Sequence, residues 1–331
     1  MKVQATLNEL TATLRSRVEL ERKADIQMVA NAFGRSVQSA WLKSDQVILN
    51  GDDAAAIPNG SEYLLLAAEG MRPEFVAKDP WFAGYCSLMV NLSDIAAMGG
   101  RPLAVVDTLF LGEGSNREVL DGMVAASEAF GVPIVGGHTA SVPGPTQLAV
   151  AVLGRATRLI SSHTARPGQV LLAAIDLCGS FRGAGGNFNA ATSSTPQKLR
   201  SQLTLLPELA EAGLVTAGKD ISMAGICGTL LMLLETSGVG AFLDLECVPA
   251  PGDVDPVRWL TAFPSFGYIL AVEPDAASRV CARFDSLGVA CTRVGQVTNS
   301  SRLELAIGSR RTTYWDLTER PLTGFGPTLK N

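Results

Sequence analysis

Hydrophobic and polar positions divide the chain into two blocks. In the first, residues 7–33 spread charges among leucines and alanines at helical spacing and predict helix. Residues 46–50 form a short apolar run that Gly51-Asp52-Asp53 breaks, and 63–68 (YLLLAA) predict a buried strand. Pro80 opens a helix where its missing N–H costs nothing; this helix runs to about Met98, stops at Gly99-Gly100 and is followed by Pro102. A strand over 103–111, an amphipathic helix over 116–130 ending at Gly131, a short strand over 133–135 running into Gly136-Gly137-His138-Thr139, and a strand over 147–155 complete the block. Residues 161–168 (SSHTARPG) have the composition of a linker. Beyond it, strands are expected over 169–175, 241–245, 268–272, 291–297 and 302–307, and helices over 196–212, 226–236, 256–263 and 276–287. Hairpin-like strand pairs mixed with helices in both blocks predict an α+β protein of two domains, 1–160 and 161–331.

Composition narrows the function classes. At 331 residues, 47% hydrophobic and 18% charged, the chain is long enough for two cores and too apolar to be disordered. A net charge of −5 offers no basic face for nucleic acid and no polybasic patch for a membrane surface. Residues 1–17 lack the apolar core of a signal peptide, and glycines and charges interrupt every apolar run before it reaches membrane-spanning length. The six cysteines (Cys86, Cys178, Cys227, Cys247, Cys281 and Cys291) form no C-x-x-C pair, which suits free thiols in a reducing cytoplasm. With His138 and His163 as the only histidines, a multi-histidine zinc or iron centre is nearly excluded.

Acidic and glycine-rich segments carry the candidate chemistry. Asp52-Asp53 after a strand are hard oxygen donors suited to magnesium, or simply turn residues. Asn91 and Asp94 share a face of an otherwise apolar helix. Asp94 sits near the helix C-terminus, the wrong end of the dipole for a negative charge, so it calls for a cation or for solvent. Gly136-Gly137 present backbone N–H groups to a phosphate, or make a tight turn. Asp220 and Ser222 precede a helix, as caps or as a metal ligand and a phosphate contact. The glycine-rich stretch 179–192 interleaves Arg182, Asn187 and Asn189, which suit a substrate-selecting loop; a surface connector is the alternative.

In order, Gly-Asp-Asp-Ala-Ala, Ser-Asp-Ile-Ala-Ala-Met-Gly-Gly-Arg-Pro, Gly-Gly-His-Thr and Asp-Ile-Ser-x-x-Gly resemble the superfamily of aminoimidazole ribonucleotide (AIR) synthetase. Its members include thiamine-monophosphate kinase, selenophosphate synthetase and a hydrogenase maturation factor. The resemblance runs from about residue 46 to 300. It implies a two-domain α+β fold, a homodimer formed through the N-terminal domains, and ATP held through Mg2+. Carried over residue by residue, Asp53, Asp94 and Asp220 match the acidic motif positions, and Glu69 falls where relatives carry Asp. Gly136 and Gly137 are expected to give backbone contacts to phosphate.

Departures bear on the acceptor. No cysteine precedes Cys86, which disfavours the chemistry that selenophosphate synthetase places on a cysteine-bearing arm before the first motif. Met223-Ala224 replace the Asp-Gly of thiamine-monophosphate kinase, and Pro264-Ser265-Phe266-Gly267-Tyr268 stand where its Gly-Gly-Glu-Asp-Tyr-Glu motif is expected. The chain ends in Leu329-Lys330-Asn331 where the hydrogenase factor has a cysteine-bearing tail. The expectation is a cytoplasmic ATP- and Mg-dependent kinase or synthetase acting on an oxygen of a small-molecule substrate. The alternatives are a non-catalytic nucleotide-binding regulator and a thiamine-monophosphate kinase.

Overall fold

A computed structural model describes residues 6–33, 48–114, 116–183, 185–265 and 267–327. The first part of the expected apolar run 46–50, Phe266 and Leu329-Lys330-Asn331 lie outside the described residues. The fold is α+β, and its Cα atoms group into two units that the chain enters and leaves at 52/53, 159/160, 193/194 and 211/212. A single cut near residue 160 therefore does not divide it. The helices before Asp52 belong with the second block, and 194–211 belong with the first.

One unit is built on a five-stranded sheet of order β1-β2-β5-β3-β4. Its strands are β1 (Ala55–Asn59), β2 (Glu62–Met71), β3 (Arg101–Glu113), β4 (Ile134–Pro145) and β5 (Gln147–Ala156). Neighbouring strands are antiparallel except β3 and β4, which run parallel, as the helical crossover Asn116–Phe130 between them requires. Alternation is strict along β5: Leu148, Val150, Val152 and Ala156 are buried, and the residues between them point the other way. The helices Pro80–Ala97, Asn116–Phe130 and Pro196–Glu211 pack together, the first of them also against β2 and β5. Pro102 lies within β3, where the pairing with β5 shifts register between Pro102 and Ala104, a place that tolerates a missing N–H.

The other unit holds a seven-stranded sheet of order β14-β13-β10-β12-β6-β11-β9 and a two-stranded hairpin, β7 with β8. The strands are β6 (Val170–Ile175), β7 (Ser180–Phe181), β8 (Phe188–Asn189), β9 (Ala217–Asp220), β10 (Gly240–Asp244), β11 (Gly267–Val272), β12 (Ala290–Thr298), β13 (Arg302–Ile307) and β14 (Arg310–Asp316). β6 is buried at every position, as a central strand covered on both faces must be. The expected helix over 7–33 is three helices, Leu7–Arg15, Val18–Ala24 and Ile26–Phe33. A capping box of Thr6 with Glu9 starts the first. Arg15 then ties it to the edge strand, donating from Nε to the Tyr314 carbonyl at 2.9 Å and from Nη2 to the Thr313 carbonyl at 2.7 Å. The segment expected to be a linker is woven into this unit, with Ser162 and Ala165 buried and the Ala165 N–H donating to Ser237 Oγ. Among the described residues, no helix is long and apolar enough to cross a membrane.

Candidate metal and nucleotide site

The helix Pro80–Ala97 is buried nearly all round, from Phe82 to Met89 and from Asn91 to Ala97. Such surroundings solvate a charge poorly, yet the helix carries Asp94 at 8% exposure, in its last turn. Asp53 precedes β1 and is half-buried. A carboxylate oxygen of each lies within 4.8 Å of one of the other. Two negative charges at that separation repel by roughly 3 kcal/mol at an effective dielectric near 20. Octahedral oxygen ligands about 2.1 Å from a magnesium ion sit about 3 Å apart in cis and about 4 Å apart in trans. The pair thus suits a divalent cation in donor type and charge, and lies close enough to share one. Glu69 does not join it: this residue is exposed on β2, opposite Val150.

The paired glycines lie elsewhere than expected. Gly136 and Gly137 are residues of β4, an edge strand paired with β3, and form no turn. Successive N–H groups of a strand point to opposite sides, so these two do not converge into a phosphate cradle. Gly137 has a steric reason to be glycine: a Cβ there would lie 2.3 Å from Oδ1 of its β3 partner, Asp107. Burial raises the Asp107 carboxyl above its usual range. His138 is exposed beside Phe110, with ring centroids 6.1 Å apart.

In the other unit, Asp52 is committed to the fold. It accepts from Ser161 Oγ at 2.6 Å and from the Ser162 N–H at 3.1 Å, with the buried Lys219 ammonium 3.9 Å away. Asp220 closes β9 at 3% exposure, paired with Tyr268. The Ser222 N–H donates to Thr229 Oγ1 at 3.1 Å, and Ser222 Oγ accepts from Lys23 Nζ at 3.3 Å. Neither Asp220 nor Ser222 caps the helix Gly225–Ser237. Its N-cap is Ala224 at a φ of 78°, with no side-chain cap, and the chain turns through Gly225, where a Cβ would meet the Leu260 carbonyl at 2.1 Å. Met223-Ala224-Gly225 is thus a backbone-built entry to the helix. Lys23 and Lys219 escape notice in sequence: one stands beside Arg22 in a charged helix, the other sits in a four-residue strand.

The glycine-rich stretch is a pinned hairpin. Arg182 N–H donates to the Asn187 carbonyl at 2.7 Å, and Asn189 Oδ1 accepts from the N–H groups of Ala191 and Thr192. Arg258 stacks 3.8 Å over the Phe181 ring and donates to the carbonyls of Gly183 and Gly185. Phe181, Phe188 and Trp259 pack edge to face beneath it. The Asn189 side chain serves the local turn.

These features define a two-domain AIR synthetase-like protein. The AIR synthase related protein N-terminal domain matches residues 51–156 and the C-terminal domain matches 177–308; the chain belongs to this family. It is 44% identical to the Synechocystis protein sll0787 over 321 residues, 96% of this chain and 98% of that one. It is 28% identical to the thiamine-monophosphate kinase of Synechococcus elongatus over 291 residues, 78% of this chain and 87% of the kinase. The fold is that of Thermotoga maritima PurL complexed with AMPPCP, with a TM-score of 0.74 at 20% identity, covering 96% of this chain and 52% of PurL; the chain therefore spans about half that protein's length.

Proposed function

We propose that this protein is an ATP- and Mg-dependent enzyme that transfers the γ-phosphoryl group to, or otherwise activates, an oxygen of a small-molecule substrate. The observation that carries the reading is the Asp53–Asp94 pair, two carboxylates within 4.8 Å of each other, one of them on a buried helix. The AMPPCP named with PurL and the kinase among the relatives support nucleotide as the ligand. Asp53, Asp94 and Asp220 are the metal ligands in this reading, the last by its place in the motif order. Magnesium held there supplies the positive charge that ATP needs against an acidic site and that a transferred phosphoryl group needs as charge develops on it. Asp94 orients the cation from a rigid helix, and Asp52 fixes the backbone beside Asp53 through Ser161 and Ser162. Arg182, Asn187 and Asn189 are kept as contacts to the acceptor side, and the β4 backbone at Gly136-Gly137 as an edge that a phosphate can reach.

We read the chain as a cytoplasmic homodimer. One face of the five-stranded sheet carries Leu66 beside its β5 partner Leu153, each over 40% exposed, and this row supports pairing through the N-terminal unit.

The test is calorimetric titration with a non-hydrolysable ATP analogue, with and without Mg2+, followed by ADP release in the presence of candidate acceptors, thiamine monophosphate among them. Magnesium-dependent binding with acceptor-stimulated ADP release supports the enzyme. Binding without turnover on any acceptor favours a regulatory role, and no binding overturns the reading.

A further inference from the structure

The helix Pro80–Ala97 buries one polar atom that nothing among the described residues answers. Asn91 is fully buried. Its Nδ2 donates to the Ser87 carbonyl at 2.8 Å, one turn earlier. Its Oδ1 is buried without a hydrogen-bond partner among the described residues. The carboxamide cannot simply be turned round, because Oδ1 would then face the Ser87 carbonyl oxygen, two acceptors with no proton between them. A buried acceptor left in this state destabilises the protein that carries it, and in native proteins such atoms mark an ion, a water or a functional contact.

The position of Asn91 says which. It lies three residues before Asp94, on the same helix face. Helical side chains lean toward the helix N-terminus, so the Asp94 carboxylate extends back over the turn that carries Asn91. Magnesium bound by one or two carboxylates keeps several waters, and each of those waters has protons to donate. We infer that Asn91 Oδ1 accepts a hydrogen bond from a water of the hydrated divalent cation held by Asp53 and Asp94. This makes Asn91 a positioning residue: it turns the hydrated ion without adding charge, where a third carboxylate would add repulsion. The inference rests on the metal reading proposed above.

The experiment compares wild type with Asn91→Leu, Asn91→Asp and Asp94→Asn. Thermal denaturation without metal is paired with calorimetry of Mg2+ and a non-hydrolysable ATP analogue. Asn91→Leu is expected to melt at or above the wild-type temperature, since its orphan acceptor is gone, and to bind the Mg-dependent ligand at least tenfold more weakly. Should the Leu variant fail to fold, Asn91→Asp carries the test: its added charge lowers the metal-free melting temperature, and Mg2+ raises it by more than in wild type. Wild-type affinity in Asn91→Leu, or an Mg2+ shift in Asn91→Asp no larger than wild type, overturns the inference alone, provided Asp94→Asn has lost binding. Absence of any Mg2+ effect in wild type removes the metal reading and the inference with it.

Discussion

Lys219 Nζ lies 3.9 Å from Asp52 Oδ1, with 3% and 5% of the two side chains exposed. A charged pair that deep is held by its partners more than by itself. Asp52 also accepts from Ser161 and Ser162, so the carboxylate is solvated by protein on several sides. Removing the cation alone leaves that carboxylate buried. Lys219→Met is therefore expected to lower unfolding free energy by about 3 kcal/mol, while Ser161→Ala costs about 1 kcal/mol. Urea denaturation of both variants checks the order; equal losses would contradict it.

The Asp53–Asp94 pair makes the opposite prediction for stability. Without metal, the two carboxylates repel within 4.8 Å. Asp94→Asn removes one charge and keeps the shape, so the metal-free variant should be more stable than wild type by about 1–2 kcal/mol. The same change should weaken Mg-dependent nucleotide binding at least a hundredfold. A variant that is destabilised without metal would show that Asp94 serves the helix and not a cation.

Much of this arrangement is legible in sequence, and the exceptions have physical causes. The helix Pro80–Ala97 is marked by Pro80 at one end and Gly99-Gly100 at the other, and Asp94 stands out because the helix carries no other charge. Gly136-Gly137 mislead because paired glycines signal a break, whereas pairing with β3 and the room Asp107 takes up hold them in a strand. Lys219 is hidden because β9 has four residues and no alternation that short is diagnostic. The N-terminal helices show no sign of where they belong, since Arg15 finds its carbonyl partners 298 and 299 residues away.

Asp107 gives the pH dependence. Burial raises its carboxyl, so over the window just above the ordinary carboxylate range the folded state binds a proton that the unfolded chain has released. This contribution to stability is complete below the unfolded pKa and is lost as pH rises through the folded one. Asp107→Asn should thus be less pH-sensitive than wild type as pH rises from about 4, and relatively more stable at neutral pH. Gly137→Ala, whose methyl group would lie 2.3 Å from the Asp107 carboxylate and 2.5 Å from the Asp107 carbonyl oxygen, should cost stability, and Asp107→Asn should not relieve that cost, because the carbonyl cannot withdraw. Melting curves of the four proteins across that pH range form the cycle that tests both statements.

The exposed sheet face decides the oligomeric reading. Leu66 and Leu153 are direct partners across β2 and β5, exposed at 47% and 41%. Val106 on β3, at 43%, lies opposite Ala151 of β5, two residues before Leu153 and on the same face. A monomer would leave this apolar row in water, at about 25 cal/mol for each Å² kept wet. If the face is a subunit contact, a charge at its centre must be desolvated on association, so Leu153→Asp should shift the protein from dimer to monomer at micromolar concentration. Its own fold should survive, because the residue points away from the helices that cover the other side of the sheet. Light scattering coupled to size exclusion gives the mass, and circular dichroism the fold. A Leu153→Asp protein that stays dimeric moves the contact elsewhere, and a wild type that is already monomeric removes the dimer from the proposed function while leaving the Asp53–Asp94 pair as it stands.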